Sequence, residues 1–343
     1  MRRRARRRGS LLSVASSGVC VAAALAVLAG CAETPAIVST PAAAARTGPD
    51  DSDLWNLAPE NADALAEVDL AALRSSPWSR TLTESGLSGQ REENLRLYGF
   101  DLFADGDRLL AIGSDASGDA TRTLTIVRGR FDPARVAAAF AASTPSTVPG
   151  RWRDSPLWEG QGRAVALVTP QTLAAGDPGA VRSAIDAAWG IVPDARSGAL
   201  GQVRRALDAD HPGHAAFVAV TVTDATRARA AGVMELPAGL INAAVRLDLS
   251  DDVNLDLLAA LDNPVDAHAA AAAGNLALQS YAQQQIVRLL GFRPILQSVV
   301  LGSEGAHVHG HLRVPAESRE ALSEKLLAVL QMVASARHET HDK

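Results

Sequence analysis

Residues 242–262, NAAVRLDLSDDVNLDLLAALD, set the strongest limit on the fold. Val245, Leu247 and Leu249 alternate with Arg246 and Asp248 as far as Ser250-Asp251-Asp252, and a second apolar run follows. Alternation of this kind is the period of a strand with one wet and one dry face, and a polar triplet between two such runs is a hairpin turn. The dry face needs a cover. Residues 264–291, opened by Pro264 and closed by Gly291, read as a long helix able to supply it. A second hairpin, ILQSVVLGSEGAHVHGHLRV (295–314), and a last helix opened by Pro315 complete a ββαββα module.

The first half follows similar logic. ADALAEVDL (62–70) reads as a strand and is followed by a helical stretch, and 107–114 and 121–131 read as strands. Asp132-Pro133 and Asp177-Pro178 each place an N-cap residue before a first-turn proline, which predicts helices over ARVAAAFAAS and GAVRSAIDAAWG. Residues 163–176 supply one or two further strands, 203–210 a helix and 214–224 a strand. The expected fold class is α+β, with mostly antiparallel sheets, helices packed on one face and two loosely similar halves over 54–200 and 201–337. Residues 338–343 are expected to form a frayed tail.

The N-terminus bears on location. Six arginines in the first eight residues precede an apolar run from Leu11 to Ala29, the layout of a secretory leader. Its boundary, Leu28-Ala29-Gly30-Cys31, resembles the lipobox of bacterial lipoproteins, which signal peptidase II cuts before the cysteine. The resemblance implies that residues 1–30 are removed and that Cys31 carries a diacylglycerol and acyl anchor. Ala32, where an aspartate would retain such a protein at the inner membrane, implies the outer membrane, with the protein facing the periplasm. Arg7-Arg8 is a weaker echo of a twin-arginine leader, and the Sec route is expected. Residues 31–53, rich in Pro, Ala, Thr and acids, read as a flexible tether.

The body also resembles a broad class of uncharacterised bacterial lipoproteins, through LAPENADALAEVDLAALRSSP, GFDLFADGDRLLAIG and IVRGRFDPARVAAAF. That likeness covers most of 55–190 and implies fold and compartment only.

Cysteine use agrees with this reading. Cys20 lies in the leader and Cys31 is taken by lipid, so the mature chain has no internal disulfide. Removing six arginines moves the formal charge from −5 to about −11, which argues against nucleic acid or an anionic lipid surface as a partner.

His307, His309 and His311 would share one face of a strand. Residues two apart on a strand lie about 6.7 Å apart, so neighbouring histidines can converge on one ion while a flat triad cannot. A zinc or copper site would need an acid from the next strand, and Asp248 and Asp256 are the candidates. Arg313 continues the row, and cross-strand pairing on a solvated face is the simpler expectation. His211 and His214 flank a Pro-Gly turn, and His338 and His341 lack the spacing of the zinc-protease helix. Trp152 and Trp158 are a candidate partner surface or the edge of a small core. No nucleophile elbow, Walker loop or dinucleotide loop is present.

These features predict a lipid-anchored envelope protein without enzymatic activity or resident cofactor, binding an envelope partner or serving a structural role. Metal binding through the histidine strand is the alternative.

Overall fold

The computed structural model describes residues 48–77, 79, 88–114, 122–209, 213–231, 236–237, 239–250, 252–289 and 292–318. The leader, Cys31, most of the tether, His211, the last helix beyond Ser318, His338 and His341 lie outside them.

In chain order the elements are β1 (Ala64–Asp69), α1 (Leu70–Ser75), α2 (Ser88–Tyr98), α3 (Leu102–Asp105), β2 (Gly106–Ser114), β3 (Arg122–Gly129) and α4 (Pro133–Ser143). A meander follows: β4 (Val148–Trp152), β5 (Ser155–Gly160), β6 (Arg163–Thr169) and β7 (Thr172–Gly176). Then come α5 (Pro178–Ala188), α6 (Ala199–Asp208), β8 (Ala216–Thr221), α7 (Asp224–Ala230), β9 (Leu240–Asp248) and β10 (Val253–Leu261). The chain continues through α8 (Pro264–Gln283), α9 (Gln285–Leu289), α10 (Arg293–Ser298), β11 (Val300–Glu304) and β12 (His307–Val314). A 3₁₀ turn at Leu54–Leu57 precedes β1 and another, Ala316–Ser318, follows β12.

Among the described residues all twelve strands belong to one antiparallel sheet, in the order β11-β12-β10-β9-β8-β1-β2-β3-β7-β6-β5-β4. The fold is therefore α+β, as the alternating runs predict. The two expected lobes share this sheet, because β1 pairs along its length with β8. Each half begins as a three-stranded meander, crosses over through a helix, and returns to pair its last strand with the third. Thus β7 pairs β3 in the first half and β12 pairs β10 in the second.

Local signals set several of these elements. The Asp132 carboxylate accepts from the backbone of Ala134 and Arg135, and Pro133 opens α4. Asn263 caps α8 through Asp266 N, with Pro264 in the first turn. The long helix expected to reach Gly291 ends at Gln283 and is followed by the short α9 and α10, so the second hairpin begins at Val300 and not near Ile295.

Helices cover the sheet from both sides. The far face carries Val127, Val165 and Leu173 beneath Val136 and Phe140 of α4, and Ala243, Leu257 and Val308 beneath Ala267, Ala271 and Leu278 of α8. The near face carries Leu65, Leu110, Ile126, Ala166 and Phe217. It is covered by the 3₁₀ turn at Leu54–Leu57, by α5 through Val181 and Ile185, and by α6 through Leu200, Val203 and Leu207. The expected tether ends earlier than Asp53. Asp50 N donates to Ala188 O, and the Asp51 carboxylate accepts from Thr169 and Thr172, so the body is already engaged there.

Candidate functional site

One transverse row of the near face crosses from the first half to the second. Register places Leu110, Glu67, Phe217, Arg246, Asp256 and His311 side by side on β2, β1, β8, β9, β10 and β12. Charge enters this row at the seam between the halves and continues to the far strand.

Glu67 is fully buried where β1 meets β8. Trp55 Nε1 donates to its Oε2 at 2.8 Å, and Arg108 Nη2 lies 2.6 Å from Oε1. His214 Nε2 is 3.3 Å and Arg204 Nη2 3.7 Å from Oε2. Arg204 reaches down from α6, over the Trp55 ring, and also pairs with Asp53 and Asp208. Burial alone pushes the Glu67 carboxyl up. The His214 hydrogen bond and the Arg204 and Arg108 charges outweigh it and hold the group below its ordinary 4.5. His214, read from sequence as a polar turn residue, is only 3% exposed and stacks near Phe217. Its Pro-Gly neighbours suggest a surface turn, but α6 folds over it.

Farther along the row, Arg246 is 3% exposed. Its Nη1 donates to Leu207 O, in the last turn of α6, at 2.6 Å, while Nε and Nη2 donate to Asp256 Oδ2. The other Asp256 oxygen lies 2.7 Å from His311 Nδ1. Burial again opposes ionisation of Asp256, and His311 with Arg246 overcomes it, so this carboxyl is also held below its ordinary 3.8. An imidazole whose Nδ1 donates to a carboxylate keeps Nε2 for whatever enters from solvent.

The other sequence candidates separate. His309 faces Leu258 on β10 and Gly302 on β11, and His307 faces Ala260 and Glu304. Both are exposed. Asp248 pairs in register with Asn254, one strand further from β12, and accepts from Ser250. Register therefore sets Asp256 beside His311 rather than beside His309, and among the described residues no three His, Cys, Asp or Glu side chains gather as ligands. Trp152 packs with the near-face core and donates to Asp186, whereas Trp158 packs on the far face. They form no common surface.

Two adjoining cavities flank the charged row, with volumes of about 1150 and 820 Å³, and both are lined by Arg246, Asp256 and His311. The first extends to His214, Asp69 and Arg313, and the second to His307 and His309. Together they form an open trough, lined mainly by the second half and, at one end, by Asp69 and Ala72 of the first.

The duplicated topology shows what is unusual here. Counting outward from the central β1–β8 pair, Ala66 with Val218, register matches Arg246, Asp256 and His311 to Ile112, Leu124 and Gly176 of the first half. Ile112 and Leu124 are buried in the near-face core. The first half thus holds buried apolar side chains at two positions where the second holds the buried Arg246 and the part-buried Asp256, with His311 exposed at the end of the row. Glu67 carries a sequence signal of its own, because it shares a strand face with Leu65. The Arg246–Asp256 pairing needs the hairpin register, and the link to Glu67 needs the β1–β8 pairing.

No family model matches the chain, and no curated protein matches it in sequence. Among solved structures, crystal form III of TP0453 aligns at 10% identity with a TM-score of 0.48, covering 80% of this chain and 98% of that one. Crystal form I aligns at 11% identity with a TM-score of 0.46, covering 80% and 97%.

Proposed function

We propose that this is a lipid-anchored protein of the bacterial cell envelope, engaged by its partners at the trough of the second half and acting by binding rather than catalysis. The anchor reading rests on Leu28-Ala29-Gly30-Cys31. A dual or triple acyl anchor on Cys31 holds a protein on a membrane without a spanning helix. Among the described residues no helix is long and apolar enough to span. The binding reading rests on one observation: the trough opens at Asp256 and His311, the latter 56% exposed, whereas Leu124, the first-half equivalent of Asp256, is buried in the near-face core. Outer-membrane placement is part of the proposal and follows from Ala32.

The test is photo-crosslinking in living cells. A photoreactive amino acid at His309, in the trough, is compared with one at Val148, 66% exposed on the opposite sheet edge. A discrete adduct from 309 alone, lost in Cys31→Ser, is the expected result. Identical patterns from both positions would remove the trough as the binding surface. Metabolic labelling with palmitate that fails to mark the wild-type chain would remove the anchor.

A further inference from the structure

We infer that the β11 end of the sheet is a self-complementary pairing edge, and that the Asn275 side chain holds it shut against a second copy of this chain. Neither the trough nor the Cys31 anchor enters into it.

β11 is the end strand on the side of the second half. An antiparallel strand turns the N–H and C=O of one residue to the same side and alternates sides along the chain. Leu261 N donates to Ala306 O, which sets the phase of β12: Val308 and Gly310 face β10, while His307, His309 and His311 face β11. Val300 and Gly302 answer His311 and His309, so Leu301 and Ser303 turn their backbone groups outward. Such a row on an end strand is a template for another strand.

At Leu301 the row is already taken. Asn275 Nδ2 donates to Leu301 O at 2.9 Å, and Leu301 N donates to Asn275 Oδ1 at 3.0 Å. A carboxamide carries a donor and an acceptor side by side, the same pair that a residue of a neighbouring strand would present. Two turns earlier on α8, His268 Nδ1 lies 3.5 Å from the Ser303 hydroxyl. Gly274 and Asn275 interrupt an alanine-rich stretch in the middle of α8, and both are poorer helix formers than alanine. Helix propensity does not account for an asparagine there, whereas the bonds to Leu301 do.

The opposite end strand is blunted by other means. Counting from the turn at Arg153-Asp154, Pro149 of β4 turns its backbone outward, and proline has no N–H to offer. β11 carries no proline, and a side chain from α8 covers it instead.

The kind of partner follows from the edge. An antiparallel two-fold centred on Gly302 sets Leu301 of each copy opposite Ser303 of the other. The outward groups of both residues are then bonded, and glycine meets glycine at the close, unbonded pair between them. Val300 on β11 and Leu276 beside Asn275 on α8 are 69% and 67% exposed and add apolar contact along this edge.

Amide hydrogen exchange on the unaltered full chain tests the cover without any variant. The Leu301 amide is expected to exchange about tenfold more slowly than that of Ser303. Equal rates overturn the cover. In sedimentation equilibrium, Asn275→Ala is expected to self-associate about tenfold more tightly than the unaltered chain. An unchanged mass at every concentration overturns the second copy as the partner of this edge. Adding Ser303→Pro removes an outward N–H and leaves the ladder to β12 in place, so it is expected to abolish the association. Association that survives this second change overturns β11 as the contact.

Discussion

His311 Nδ1 lies 2.7 Å from Asp256 Oδ1, whereas His309, two residues earlier on the same strand face, stands beside Leu258. Three histidines that look equivalent in sequence are thus divided by register. One closes an ionic row running back to the buried Arg246, and the other two face solvent.

Asp256 and His311 should therefore differ sharply when replaced. Asp256→Ala leaves Arg246, 3% exposed, without its carboxylate, and a loss of about 3–5 kcal/mol is expected from urea denaturation. His311→Ala removes a side chain that is 56% exposed and is expected to cost under about 1 kcal/mol. Comparable losses would show that the row is not held through Asp256.

Acid should weaken the fold through Glu67 and Asp256. Both carboxyls are held below their ordinary values in the folded chain, so the unfolded chain takes up protons first as pH falls. Their contribution is complete above the ordinary values of 4.5 and 3.8 and is lost as pH falls through the lower folded ones. Melting temperature followed from pH 7 downward should drop more steeply for wild type than for Glu67→Gln. Parallel curves would place the acid sensitivity elsewhere.

Trp55 and Glu67 should show coupled energetics. Trp55→Phe keeps a buried ring but removes the donor to Glu67 Oε2, a hydrogen bond to a charged group worth about 1.5–3 kcal/mol. In a double-mutant cycle with Glu67→Gln, additive losses would indicate that the bond contributes nothing specific.

Gly201 tests how α6 is seated. Alanine for glycine inside a helix ordinarily stabilises by about 1 kcal/mol. Here a Cβ would lie 2.3 Å from Arg196 O and 2.6 Å from Ala195 O, so Gly201→Ala is expected to destabilise by about 1–3 kcal/mol. A rise in melting temperature would show that the 195–196 loop yields easily.

Zinc offers a direct check on the histidine strand. With Leu258 beside His309, one equivalent of zinc is expected to leave the melting temperature unchanged. A rise abolished by His309→Ala would favour the metal reading.

Much of the second half is legible in the amino-acid pattern alone. The alternation in 242–262 puts Arg246, Asp248 and Asp256 on one face, and the hairpin register agrees. Asp132-Pro133 marks the start of its helix correctly. Long-range pairing is not legible in this way. Nothing local to ALAEVD announces that β1 will pair with a strand from the other half of the chain, so the pattern predicts two lobes where one sheet forms. The same gap conceals His214. A Pro-Gly turn reads as surface until a helix from earlier in the chain is laid over it. Trp152 and Trp158 look like a pair by spacing, but the β4–β5 turn sends them to opposite faces.

The match of Ile112, Leu124 and Gly176 with Arg246, Asp256 and His311 also implies unequal tolerance to mutation. A duplicated unit needs only one copy to anchor the shared sheet. The first half, sealed by α5 and the Leu54–Leu57 turn, has little room for polar replacements at its three positions. In the second half α6 covers Arg246 through Leu207 O, while the row beyond it ends at the exposed His311, where new surface chemistry can be tried without dismantling the scaffold.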